Sequence, residues 1–423
     1  MRVRRLDQVV TPSDDRSLAF FRALIGSLRP RDFKITTWTG AVWEPESGQP
    51  ARFTLRINHP RALATIFYQR TEVALAEAYI FNDLEVTGDI RALLRLAEYL
   101  LSRPTDTWTR LRQIVALLRL QAAPRPATGP AARLSGVPHS QRRDAAAISY
   151  HYDTSNDFFA LFLDPRMVYS CAYFPSPEAS LAQAQETKLD LICRKLKLAA
   201  GQTLLDVGCG WGGLLIFAAE RYGVKGFGIT LSQAQADYAN SAIRDRGLAT
   251  QCKVSVMDYR DLGPDAVFDK VVSVGMAEHV GVRMLQAYFG SVWKAVRPGG
   301  LFLHHAIAYT RPTPSRRGPT FFSRYVFPDG ELVPISDSLR AAELSGFEVR
   351  GVESLREHYI RTLDHWLEQL ESRSHEAIAM VGEARYRVWR LYFAAARRQF
   401  EAVRTTIYQT VLERPQDGEA GAA

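Results

Sequence analysis

Residues 204–214 read LLDVGCGWGGL, and this stretch decides the fold. Leu204, Leu205 and Val207 suit a strand buried on both faces of a parallel sheet, with the acidic Asp206 at its end. Gly208, Gly210 and Gly212 follow at alternating positions, with Gly213 beside the last. Glycines let a backbone turn sharply and approach a ligand without Cβ interference. Residues 211–222 (WGGLLIFAAERY) have helical character, so the loop joins a strand end to a helix N-terminus. Open α/β sheets bind nucleotide-like ligands there. The GxGxG spacing differs from the GxGxxG of dinucleotide folds and from phosphate-binding loops, and no lysine follows to hold a triphosphate.

Strands and helices alternate from Gln202 onward, the sign of βαβ units with right-handed crossovers. Strands are expected over 226–231, 251–257, 268–275, 301–307 and 347–352, and helices over 232–245, 282–296 and 336–344. Residues 309–334 read as an irregular insertion and 356–412 as long amphipathic helix. Upstream, residues 122–147 are rich in Ala, Pro, Gly and Arg without apolar periodicity, the composition of a linker. Residues 1–121 read as a small α+β domain, with a strand at 53–57 and helices before Asn82-Asp83 and after Gly88-Asp89. Its single histidine, His59, and scattered acids make no catalytic constellation. The expected layout is that domain, the linker, an α/β domain over 148–412 and a disordered tail over 413–423.

A chain of 423 residues fits two or three domains. With 47% hydrophobic and 23% charged residues it is not largely disordered. Cys171, Cys193, Cys209 and Cys252 lie at no metal-ligand spacing and make no disulfide framework, so neither metal nor disulfide is expected, and a reducing cytoplasm is. The N-terminal MRVRRLDQVV lacks a signal-peptide core, and no run approaches the ~20 apolar residues of a membrane helix. The expectation is a cytoplasmic protein, at most peripheral to a membrane. The net charge of +8 favours an anionic partner, nucleic acid or an acidic membrane surface, without choosing between them.

Loops after successive strands line one crevice. Asp206 there suits a cationic amino group. Thr230 ends the second strand, where dinucleotide enzymes place an acid for the ribose; here Thr230 and Gln235 would serve. Asp258, Tyr259, Arg260 and Asp261 follow the third strand, where adenine is usually held, although Asp258 and Asp261 also fit solvated turn positions. Glu278-His279 and His304-His305 are polar pairs ending neighbouring strands. Adjacent side chains diverge, so one of each pair is expected in the crevice, against the competing reading of satisfied core residues. Residues 150–159 (YHYDTSNDFF) and 169–174 (YSCAYF) add Tyr152, Tyr169, Ser170 and Cys171. Such aromatics fit a core, or stabilise a cation through their faces.

LLDVGCGWGG resembles motif I of the S-adenosylmethionine-dependent methyltransferases. YHYDTSNDFF, MVYSCAYF, LLDVGCGWGG, GITLSQAQ, MDYRDL, VSVGMAEHVG, LFLHHAIA and YVFPDG occur in the order found in the cyclopropane-fatty-acyl-phospholipid synthases. The mycolic acid cyclopropane synthases share most of them. The likeness spans about 147–412, and EAYIFNDLEVTGDI (77–90) is similar to the smaller lipid-associated domain of the phospholipid-acting members. GCGWGG is shared by many methyltransferases; YSCAYF with EHVG and the later histidine is far more specific.

The resemblance implies a Rossmann-like class I methyltransferase domain. It implies transfer of a methyl group from S-adenosylmethionine to a cis double bond of a membrane phospholipid acyl chain, proton loss from the added methyl, and closure to a cyclopropane. It also implies a bicarbonate general base held by Cys171, Glu278, His305, Ile307 and Tyr359, with Cys171 and Ile307 acting through their backbones. Implied cofactor contacts are Tyr152, Tyr169, Ser170, Asp206, Gly208, Gly210, Gly212, Thr230 and Gln235, with Asp258, Tyr259 and Arg260 near adenine. Family members suggest a homodimer. Ala394–Ala396 stand where many bacterial members carry a cysteine after a Tyr-Phe pair, and His304 replaces a usually apolar residue. In the insertion, Arg311, Arg316, Arg317 and Arg324 interleave with Phe321, Phe322, Tyr325 and Phe327. This pattern fits an anionic headgroup surface, at about 1 kcal/mol per charge, or a solvated loop over core aromatics. The alternatives are a related lipid C-methyltransferase leaving a methyl branch or methylene group, an RNA methyltransferase, or a non-catalytic lipid-binding protein. RNA recognition needs a stacking platform that the first domain does not show, and the intact DVGCGWGG and EHVG argue against loss of catalysis.

Overall fold

The computed structural model describes residues 25–60, 71–102, 129–132, 134–152, 154–311 and 318–416, together with 18, 21, 22 and 62. Residues 122–128 and 133 of the expected linker and residues 312–317, with Arg316 and Arg317, lie outside the described residues, as does the end of the tail from 417.

The chain forms two compact units. The first comprises residues 1–130, 319–321 and 383–395. Its sheet runs β2-β1-β3-β4, with β1 Phe33–Thr36, β2 Val42–Trp43, β3 Phe53–Ile57 and β4 Leu84–Gly88. Strand β3 (FTLRI) alternates as a half-buried strand should, with Phe53, Leu55 and Ile57 inward and Arg56 outward. Residues 383–395, expected in the methyltransferase domain, group instead with this unit. Two buried arginines explain the difference. Arg387 donates to the carbonyls of Tyr79 and Leu84, and Arg390 to those of Val86 and Gly88 and to the Tyr79 hydroxyl.

The second unit comprises residues 131–318, 322–382 and 396–423. Its strands are β5 Thr203–Val207, β6 Lys225–Thr230, β7 Cys252–Val256, β8 Phe268–Val274, β9 Val296–Tyr309, β10 Val333–Pro334, β11 Glu348–Ser354 and β12 Thr405–Glu413. They are ordered β7-β6-β5-β8-β9-β12-β11, with β10 beside the end of β9. Only β12 runs antiparallel to its neighbours. Leu204, Val272 and Leu303 pack under Leu189, Ile192 and Phe217 on one face. Leu205, Val271 and Phe302 pack under Tyr288, Phe289 and Val292 on the other. This is a doubly wound, Rossmann-like class I methyltransferase fold. Strand order reverses between β5 and β8, which opens a crevice over their carboxyl ends.

Three expectations are corrected. Residues 356–412 are not all helix: helices Arg356–Ser372, Ser374–Val381 and Glu383–Glu401 are followed by β12, buried between β9 and β11. Val403, at φ +54°, ends the last helix, and TTIYQTVLE is rich in β-branched residues. The helix Gln141–Tyr152 begins inside the expected linker, with Asp144 in its first turn and three alanines next. The expected disordered tail starts as the end of β12, and the Arg414 guanidinium donates to the Trp293 and Val296 carbonyls. Among the described residues no helix is long and apolar enough to cross a membrane.

Candidate active site

The loop after β5 takes the shape its glycines allow. Gly208, Gly210 and Gly212 lie at φ +81°, +54° and +81°, a region costly for other residues. Gly212 caps the helix Gly213–Tyr222. Around this loop one cavity is lined by Tyr152, Tyr169, Ser170, Asp206, Gly208, Gly210, Thr230, Gln235, Asp258, Tyr259 and Arg260. Gly212, expected as a cofactor contact, does not line it. Lys188 and Trp211, which the sequence reading did not select, also line it, as does His279, one of the pair of which a single member was expected there.

Each wall has a defined polarity. Ser232 N–H donates to Thr230 Oγ1 (3.2 Å), and the Thr230 hydroxyl bonds Gln235 Oε1 (2.8 Å), leaving the Gln235 NH₂ toward Gly210. Arg260 clamps both oxygens of Asp258 (2.8 and 2.6 Å) and reaches Asp144 (2.8 Å). Those bonds, led by that to Asp258, raise its pKa. Tyr152 packs near Trp211, Tyr169 and His279, and Tyr169 near Trp366. Burial lifts the Asp206 carboxyl to about 7 despite the opposing charge of Lys188. Lys188 is itself buried, donates to Ser170 Oγ (2.9 Å), and is lowered to about 8 by burial. A cation and a carboxyl thus share the floor of the cavity, a charge pattern matching the ammonium and carboxylate of an amino acid.

The Glu278-His279 pair divides as adjacent residues should. His279 faces the cavity, and burial lowers it to about 4. Glu278 turns toward β9, where its Oε1 accepts the Ile307 N–H (2.8 Å). The residue keeps some exposure, but its Oε2 is sealed and has no partner among the described residues. Burial raises this carboxyl to about 7. Alternation along β9 sends His305 to Gln409 on β12 (3.1 Å) and His304 to Tyr288 on the other face (3.4 Å). Both rings are buried, and burial holds both below their ordinary pKa.

Sheet register links the remaining candidates. Ile307 pairs with Ile407, whose carbonyl accepts the Leu355 N–H (2.9 Å). The Leu355 carbonyl in turn accepts from Tyr359 N–H (3.0 Å) and Cys171 Sγ (3.7 Å). Tyr359 is buried against Phe400 and Trp366. Burial pushes the Cys171 thiol far up, so it is no nucleophile. The Ile307 N–H, implied by the resemblance as an anion ligand, is already engaged by Glu278. Among the described residues no group of three or more His, Cys, Asp or Glu could hold a metal ion. Of the insertion's aromatics, Phe321 and Tyr325 are buried, Phe322 is half-buried and Phe327 stacks on His151 (4.2 Å), which favours the reading of core aromatics for part of the segment.

Fold and crevice together define the class, an S-adenosylmethionine-dependent methyltransferase fold with a polar, glycine-floored cavity over the carboxyl ends of its strands. The mycolic acid cyclopropane synthetase family matches residues 139–410, and a domain of unknown function (DUF7884) matches 20–100. The chain belongs to the mycolic acid cyclopropane synthetase family. It is 41% identical to a probable fatty acid methyltransferase of Pseudomonas putida, over 90% of this chain and 92% of that one. It is 35% identical to cyclopropane mycolic acid synthase 1 of Mycobacterium tuberculosis, over 62% and 95%. The crystal structure of mycolic acid cyclopropane synthase CmaA1 complexed with SAH and CTAB superposes at a TM-score of 0.60, with 33% identity over 63% and 97%.

Proposed function

We propose that the protein transfers a methyl group from S-adenosylmethionine to a cis double bond of a phospholipid acyl chain and closes the product to a cyclopropane. The observation that carries this reading is a pair of buried polar atoms without a partner among the described residues, Glu278 Oε2 in the turn after β8 and His305 Nε2 on β9, the strand beside it.

S-adenosylmethionine would fit the cavity: the glycines would admit its close approach, Gln235 would hold its ribose, the Asp258–Arg260 segment its adenine, and Asp206 with Lys188 its amino-acid end. When bound, the cofactor supplies an electrophilic methyl group. An alkene is a weak nucleophile, so the protein's task is to align it and exclude water. Tyr169, which lines the cavity and packs on Trp366, would offer a ring to the cation that methylation leaves on the acyl chain. Ring closure then needs one proton removed from the new methyl group. Glu278 Oε2 and His305 Nε2 fit a small oxyanion such as bicarbonate, which would supply a base there. Glu278 and His305 would hold it, and Tyr359 would enclose it.

The relative matching along nine-tenths of this chain is called a fatty acid methyltransferase, which supports a second reading: methylation without ring closure. Lipids from cells expressing the protein and fed heavy-methyl methionine separate the two. Unsaturated chains that gain one labelled CH₂ and lose the double bond support cyclopropanation. Labelled branched or methylene chains favour the second reading, and unlabelled lipids overturn both.

A cofactor prediction follows from the cavity floor. Asp206 holds the substrate ammonium as a carboxylate, so affinity is present above about pH 7 and falls as pH drops through it. Lys188→Met removes the cation that opposes this shift. The midpoint of the S-adenosylmethionine Kd against pH, measured by calorimetry, is expected to move upward. An unmoved midpoint contradicts the coupling.

A further inference from the structure

We infer that Lys195 and Gln409 act as positioning residues that fix the tautomer of His305, keeping its proton on Nε2 so that the ring presents a hydrogen-bond donor to the oxyanion proposed above. The inference rests on the function proposed above and adds to it the residues that prepare the imidazole.

The argument is one of donors and acceptors. Lysine has only donors. Lys195 Nζ donates to Gln409 Oε1 (2.6 Å) and to the half-exposed carboxylate of Glu353. The amide end facing Lys195 is therefore the oxygen, and the NH₂ end faces His305 Nδ1 at 3.1 Å. An amide NH₂ donates and does not accept. His305 Nδ1 must then carry the lone pair, and a neutral ring so held bears its proton on Nε2. The ring stays neutral because it is enclosed and has Lys188, Lys195 and His304 as charged or titratable neighbours. Its Nε2 is buried and has no partner among the described residues, so the donor remains available for a ligand. His304 is a contrast within the same strand: its Nδ1 faces the Tyr288 hydroxyl, which either donates or accepts and so fixes nothing. A bonded chain Glu353–Lys195–Gln409–His305 thus runs from a partly exposed carboxylate to the ring, through residues far apart in sequence.

With the opposite tautomer a lone pair would face the anion and repel it. Gln409→Glu imposes that state with little change of shape, because a carboxylate accepts from Nδ1–H. Lys195→Met removes the anchor and lets the amide rotate.

The test is nitrogen NMR of the full chain labelled with ¹⁵N-histidine, with His305→Gln used to assign the ring. The wild type is expected to show a protonated Nε2 and an unprotonated Nδ1. Gln409→Glu should exchange the two, and Lys195→Met should show both tautomers. In bicarbonate-depleted buffer, Gln409→Glu should raise the bicarbonate concentration for half-maximal methyl transfer at least about tenfold, the loss of one charge-assisted hydrogen bond, with the S-adenosylmethionine Kd unchanged. A protonated Nδ1 or an imidazolium in the wild type overturns the inference, as does a tautomer indifferent to residue 409. The wild-type spectrum needs no lipid substrate. Failure of lipid methylation with the expected spectrum therefore counts against the function, and methylation with the wrong spectrum counts against the inference.

Discussion

Glu278→Gln is expected to reduce turnover by about 10²- to 10⁴-fold, the range for loss of a group engaged in proton transfer, with S-adenosylmethionine affinity retained. The amide is close in shape and can still accept the Ile307 N–H, which Glu278 Oε1 takes at 2.8 Å. What changes is the sealed position of Oε2, where an NH₂ replaces an oxygen able to carry charge or a proton. Binding and turnover separate because the glycine loop, Gln235 and Asp206 are untouched. Steady-state rates beside calorimetric cofactor titrations measure this, and an unchanged kcat contradicts it.

The same substitution has a stability signature. Burial raises the Glu278 carboxyl from 4.5 to about 7 in the folded chain. The folded state therefore binds the proton more tightly than the unfolded state. That contribution is fully present below about pH 4.5 and is lost as pH rises through about 7. Glutamine does not titrate, so the variant should gain stability relative to the wild type on going from pH 5 to pH 8. Denaturant melts at the two values read the difference, and a relative loss at pH 8 contradicts the assigned burial.

The second large effect concerns the glycine loop. Gly208→Ala is expected to weaken S-adenosylmethionine binding by about 10- to 100-fold, from a left-handed backbone cost of about 1–2 kcal/mol plus a clash. The residue sits at φ +81°, and a Cβ there would lie 2.8 Å from Met276 Cγ and 2.9 Å from Met276 Cβ. A rotamer change can move Cγ but not Cβ. The loop after β8 must therefore shift, and it also carries Glu278 and His279. Gly247→Ala is the control: Gly247 shares a positive φ of +70° but has nothing within 4 Å of its added Cβ. It should cost some stability and leave affinity alone. Equal affinity losses in the two variants would remove the loop argument.

The parallel strands were legible because strands buried on both faces read as apolar runs, and the glycine spacing marked where β5 meets its helix. Strand β12 was not. Its Thr405, Thr406, Gln409 and Thr410 are polar yet buried, and a long helical stretch precedes it. Lys188 lies in the helix Leu181–Lys195, where a lysine reads as a solvated charge. Only the fold places it against Ser170 and the Asp206 carboxyl. The Glu278-His279 pair was visible, but which member faces the cavity depends on a short turn after β8 that periodicity does not describe. The insertion's aromatics show the limit of composition, because buried Phe321 and Tyr325 look the same in sequence as exposed ones.

The central claim is ring closure on a lipid chain, and deuterium counting tests it most directly. Purified protein would be incubated with S-adenosylmethionine bearing a CD₃ group and vesicles of an unsaturated phospholipid, and the acyl chains weighed. The account predicts chains that gain one carbon, keep two of the three deuterons and no longer hold a double bond, because closure removes one deuteron from the transferred methyl. A saturated chain that keeps all three deuterons in a methyl branch would contradict it.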